Sequence, residues 1–157
     1  SCHKAGDIEI GMQVEEVYQI VGNDNTKLTD LFREDMFEPV MEIYYEGIQS
    51  SRKPSLVAEI SPPGPLIHTY TIGRINVYDQ KFSTKEGIGV GSTLGDLKKL
   101  YKVDQIGYGE GTVYALVESL CMSFELPSKW YGVRNPDGTA GPNLIPDTEK
   151  IIAVLIH

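Results

Sequence analysis

A chain of 157 residues and 17.4 kDa is long enough to bury roughly two thirds of its unfolded surface and too short for a large multidomain enzyme. Apolar residues make up 41% and charged residues 23%, proportions that exclude wholesale disorder. The 22 acids against 14 Lys and Arg give a formal net charge of −8, which speaks against a nucleic-acid partner because phosphates are neutralised by Lys and Arg.

The imbalance is local. Residues 1–47 hold eleven acids against Lys4, Lys27 and Arg33, so the whole −8 sits in the first third, and residues 48–157 sum to zero. Such a stretch attracts and orients a basic partner, or simply keeps the surface solvated. No run of 18 or more apolar residues exists, so no spanning helix is expected, and any membrane association would go through a lipid anchor.

In chain order, Ser1-Cys2 comes first and resembles the remnant of a bacterial lipobox, whose Cys becomes lipid-modified after cleavage. Cys2 is then the expected lipid attachment, and residues 1–7 a polar, flexible tether. Two alternatives stay open: a free thiol, or a disulfide with Cys121, the only other cysteine. Cys121 itself lies in an apolar run and reads as a small buried hydrophobe.

Residues 8–21 can be laid over residues 88–101 at an offset of 80, which matches Gly11 with Gly91, Val14 with Leu94, Val17 with Leu97 and Ile20 with Leu100. Apolar residues three apart mark one face of a short amphipathic helix, and Thr93 with Asp96 suggests a capping box. Residues 26–32 add a weaker helical segment. Strands are expected over 40–45, 55–60 and 69–78 after the first helix, and over 112–117, 120–126 and 150–156 after the second. The expectation is therefore an α+β fold of two tandem repeats, 8–80 and 88–157, in one compact domain. Each repeat would be a short helical segment packed on a three-stranded antiparallel meander.

Two motifs carry a family resemblance. The Gly11-Met12 to Gly22 stretch resembles the opening of the small outer-membrane assembly lipoproteins (the SmpA/OmlA group), and residues 82–97 resemble a recurring helix-opening segment of small bacterial envelope proteins. Doubling such a unit is similar to the architecture of the β-lactamase inhibitor protein. The resemblance implies an extracytoplasmic, periplasmic or cell-surface protein that is not an enzyme and presents a curved sheet or loops to another protein. It does not imply the same target, because the inhibitor's contact residues have no matching positions.

Chemistry-bearing motifs are sparse. Gly87, Gly89 and Gly91 precede a helix but lack the dinucleotide spacing and the Lys of a P-loop. His3, His68 and His157 have no partner at metal-ligand spacing, so neither a metal nor a cofactor is expected. Glu34, Asp35 and Glu38 read as a solvated edge rather than an acid/base pair, and Asn23-Asp24-Asn25 and Asp137-Gly138 as turns.

Residues 127–147 form the longest aperiodic segment, with four of the nine prolines and the only Trp. Trp130, Tyr131 and Arg134 are of the types enriched at binding hot spots, so they are the candidate partner-binding residues. The competing reading folds Trp130 and Tyr131 back as an internal plug. Residues 61–68 form a second irregular stretch, and 49–54 a basic hairpin tip. The expected function is an extracytoplasmic protein-binding module. A small-ligand carrier using the concave sheet face, or a hydrolase, is the alternative, distinguished by an apolar cavity with a few convergent polar groups.

Overall fold

The structure, a computed structural model, describes residues 2–33, 36–50, 53–109, 111–137 and 141–157. Glu34, Asp35, Ser51, Arg52, Gly138, Thr139 and Ala140 therefore lie outside the described residues, and so does part of the carboxylate, hairpin-tip and Asp137-Gly138 readings. The chain divides into two compact units, residues 3–79 with 156–157, and residue 2 with 80–155.

The first unit opens on a two-stranded ribbon, β1 (Lys4–Ala5) and β2 (Ile8–Glu9). Helix α1 (Val14–Val21) follows, then β3 (Thr26–Arg33), β4 (Met36–Ile43), β5 (Leu56–Ser61) and β6 (Thr71–Val77), each antiparallel to the next. Its core is built from fully buried Ile8, Val17, Met41, Ile43, Leu56, Ala58, Ile72 and Ile75.

The second unit holds helix α2 (Leu94–Leu100), β7 (Gln105–Gly109), β8 (Thr112–Val117), β9 (Met122–Leu126) and most of β10 (Ala153–Ile156). Strand β8 alternates without a fault, burying Val113, Ala115 and Val117 completely, as a half-buried strand with a period of two must. Leu94, Leu97, Phe124, Leu126 and Ile151 complete the core.

Strands β3 to β10 form one eight-stranded sheet in the order β3-β4-β5-β6-β10-β9-β8-β7. This corrects the expectation of two tandem repeats, each a helix on its own three-stranded meander. The molecule is mostly β, with two short helices, and only the coarse α+β description is compatible with it. Four strands are absent from the expectation: β1 and β2, the first of them within the flexible tether expected over residues 1–7, and, in the large sheet, β3 and β7.

Residues 26–32 are not a helix. The Leu28, Leu31, Phe32 spacing is helical, but the two Thr favour extended backbone, and the eight cross-strand pairs with β4 decide the conformation. β7 was hidden by Gly107 and Gly109. Gly107 lies opposite Tyr114, where a Cβ would come within 3.1 Å of the tyrosine oxygen, so the glycine makes room for the ring.

The likeness of the two helix entries is local and detailed. Gly11 and Gly91 both adopt positive φ, +88° and +92°, a region that favours glycine. The N–H of Gly11 donates to Ile72 at 2.7 Å, and that of Gly91 to Ile151 at 2.9 Å. Ile72 returns a bond to Met12 and Ile151 one to Ser92, both at 2.9 Å. Thr93 and Asp96 close a complete capping box, as the sequence suggests, and Glu16 accepts from the N–H of Gln13 at 2.7 Å. Each helix buries only its first two matched positions. Ile20 and Leu100, the third pair, are 47% and 52% exposed.

Candidate functional site

The most distinctive surface of the first unit is made by β3 and β4. They pair in unbroken register from Thr26↔Ile43 to Arg33↔Met36, whereas β5 pairs only with Val40–Ile43. Pro39 has no N–H to offer a further ladder bond, which suits the point where the β5 pairing stops. Beyond it the hairpin continues as a two-stranded arm.

Residues directly opposite each other in an antiparallel pair share a face. The face that carries buried Ile43 and Met41 therefore runs outward through Leu28, the Asp30↔Pro39 pair and the Phe32↔Phe37 pair. Burial gives way to exposure along it: Met41 is 0% exposed, Leu28 54% and Phe37 72%. Met36, on the opposite face of the arm, is also exposed.

Between this face and α1 lies a groove of about 520 Å³ lined by Val14, Glu15 and Tyr18 of the helix, Leu28, Thr29 and Asp30 of β3, and by Pro39, Ile60 and Tyr70. Leu28 and Tyr70 are both more than half exposed, so the groove is open rather than an enclosed cavity. Tyr70 ends a wholly exposed stretch, residues 62–70, that also presents Leu66 and Ile67. Two carboxylates, Glu15 and Asp30, stand in this apolar setting, and neither side chain has a hydrogen-bond or ion-pair partner among the described residues. Lys27, by contrast, is paired with Glu42 at 3.6 Å.

The residues singled out from the sequence lie in the second unit and are partly occupied. Trp130 is half-buried, and its indole N–H donates to Glu149 at 2.7 Å. Lys129 pairs with the same carboxylate at 2.8 Å, and these two neighbours, the Lys first, hold the Glu149 carboxyl below the usual carboxylate range. Tyr131 is 51% exposed and sits edge-on to Tyr108, with ring centroids 5.8 Å apart. The Tyr108 hydroxyl donates to the carbonyl of Val133 at 2.9 Å, which fastens the segment to β7. Arg134 is exposed. Trp130 thus supports its own segment, while Tyr131 and Arg134 remain on the surface.

Cys2 and Cys121 are brought together. The Cys2 thiol donates to the carbonyl of Ser119 at 3.8 Å, and Cys121 follows in left-handed backbone at φ 53°. Its hydrogen bond with the Cys2 thiol, and then burial, push the Cys121 thiol above its ordinary pKa. Of the histidines, His3 bonds the His157 carbonyl through Nδ1 at 2.8 Å, and His68 is exposed. Among the described residues no group of three or more His, Cys, Asp or Glu is placed to hold a metal, and no helix is long and apolar enough to cross a membrane.

The groove and arm were missed by sequence reasoning. Leu28, Phe32, Met36 and Phe37 carry a signal only once residues 26–33 are read as a strand, because their exposure follows from the register with β4.

No family model matches the chain, and no curated protein matches it. Among solved structures, the chain is similar to the crystal structure of the uncharacterized protein yfeY from Escherichia coli, with a TM-score of 0.65 and 16% identity over 99% of this chain and 96% of that one. The two share a fold. At that identity the likeness carries no site and no activity.

Proposed function

We propose that this chain is a non-enzymatic, extracytoplasmic protein-binding module of the bacterial envelope, and that its contact surface is the α1/β3 groove with the β3–β4 arm. The observation that carries the proposal is the run of exposed apolar side chains, Leu28, Phe32 and Phe37, on one face of one regular hairpin. Contiguous exposed apolar surface of this kind marks interaction sites in soluble domains. The occupant is a protein segment bearing Lys or Arg, since Glu15 and Asp30 line the groove and residues 1–47 carry the whole net charge of −8.

The location rests on the resemblance of residues 11–22 and 82–97 to segments of small bacterial envelope proteins. A ligand carrier is less well supported, because the groove is open and its apolar lining is solvent-exposed.

The proposal is tested by affinity capture from a native envelope fraction with the wild type and the Phe32→Ser/Phe37→Ser double variant side by side. A protein held by the wild type, lost from the variant and released by moderate salt supports the reading. Equal recovery by both proteins places the contact surface elsewhere.

A further inference from the structure

Strand β3 is the last strand of the eight-stranded sheet, so one of its backbone edges has no strand partner among the described residues. Natural edge strands are kept from pairing by shortness, proline, bulges or charge. β3 has none of the first three: it runs for eight residues, contains no proline, and keeps continuous register with β4. The charge of Lys27 is taken up by Glu42 at 3.6 Å, whereas Asp30 keeps its negative charge and so repels an acidic strand but not a basic one. The other edge strand, β7, is guarded, being five residues long with two glycines, and its Tyr108 is tied to Val133. β3, by contrast, is long, regular and bordered by an apolar groove.

We infer that β3 accepts an extended, basic segment of a partner protein by strand addition, with the row of side chains that faces the α1/β3 groove carrying both apolar residues and a Lys or Arg that reaches Asp30 and Glu15. This rests on the protein-binding reading given above and names the partner's chemistry and its mode of docking. In this mode main-chain hydrogen bonds supply affinity and pockets for every second side chain supply selectivity. A strand alternates its side chains between faces, so one row meets Leu28, Tyr18 and Tyr70 while the backbone joins the ladder. A second copy of this chain is the poorer occupant, because its acidic first third would meet a like charge.

The probe is a synthetic ten-residue peptide, blocked at both ends and titrated against the whole chain, in which one row of alternate residues carries valine and lysine in turn and the other row is threonine. Three companions are titrated in parallel: the same peptide with glutamate for lysine, one N-methylated along a single backbone edge, and the lysine peptide against the Asp30→Lys and Glu15→Lys variants. Strand addition predicts saturable binding of the lysine peptide and slowed amide exchange within β3. It also predicts at least tenfold weaker binding for each companion measurement.

Equal binding of the N-methylated peptide overturns strand addition but leaves the groove as a protein-binding surface. Equal binding of the glutamate peptide overturns the basic partner. If no peptide binds while the Phe32/Phe37 double variant still loses its captured protein, the docking mode fails and the broader reading stands. If both tests fail, both readings fall. Concentration-dependent dimerisation that protects β3 in the absence of peptide would assign the edge to a second copy and overturn the inference.

Discussion

Phe32 stands directly across the ladder from Phe37, with ring centroids 5.0 Å apart and planes tilted by 52°. Both rings remain more than half exposed. An aromatic cross-strand pair contributes about 0.2–1 kcal/mol, enough to hold the arm in register but not enough to require two large apolar rings in water. Replacing both with serine is expected to lower stability by about 1 kcal/mol, with cooperative unfolding retained, while partner capture is lost. Urea unfolding checks this. A loss of several kcal/mol would mean that the rings are packed against something and the arm is not a free surface.

The helix periodicity makes a sharper stability prediction. Leu97 and Leu100 lie three residues apart, and spacing alone assigns both to the buried face; the first is 0% exposed and the second 52%. Leu97→Ala is expected to cost about 2–5 kcal/mol, and Leu100→Ala at most about 0.5 kcal/mol. Equal costs in urea unfolding would contradict the packing of α2.

Glu149 makes the second unit acid-sensitive. Lys129, then the Trp130 indole, hold its carboxyl below the unfolded value of 4.5, so the folded state releases this proton more readily. Its contribution is therefore present above about pH 4.5 and is lost as pH falls through the lower folded-state value. Glu149→Gln is expected to be less stable than wild type at pH 7, with the difference shrinking towards pH 3. Thermal melts followed by fluorescence of Trp130, the only tryptophan, measure it. A difference that grows towards acid would reverse the assigned sign.

The contact between Cys2 and Cys121 yields a chemical prediction. In chain produced without export, where Cys2 keeps its thiol, oxidised glutathione is expected to form an internal disulfide. One thiolate opens the glutathione disulfide, and the second protein sulfur then displaces the bound glutathione. The chain loses two protons and two electrons, a mass change of about 2 Da, and two glutathione thiols form. A lipid on the Cys2 sulfur, as the proposed anchor requires, would leave only Cys121 to react with a thiol reagent in chain recovered from an envelope. Intact mass spectrometry separates the two forms. Failure of the unexported chain to form the bond under oxidation would contradict the contact.

Much of the second unit is legible in the sequence. The run from Thr112 to Val117 is short, β-branched and aromatic and is a strand within those bounds, its alternation showing in burial rather than in sequence, and the Gly91-to-Asp96 segment announces both a tight entry and a cap. What could not be read is set by partners distant in sequence. Helical spacing at Leu28, Leu31 and Phe32 loses to eight pairings with β4, and β7 has no strand signal of its own until Tyr114 is seen to need the space at Gly107. The same holds for the candidate site. A long loop with Trp130 reads as a contact surface, and its indole is bonded to Glu149, while the exposed run of Leu28, Phe32 and Phe37 lies on a hairpin whose faces only register defines.

The most direct test of the central claim is site-specific photocrosslinking in the envelope, with a photoreactive side chain placed at Phe37 in one chain and at Tyr131 in another. The account predicts a discrete adduct with a protein from position 37, abolished when Asp30→Lys is added, and none from position 131. An adduct from position 131 alone would move the binding surface to the Trp130 segment and contradict the assignment to the groove and arm.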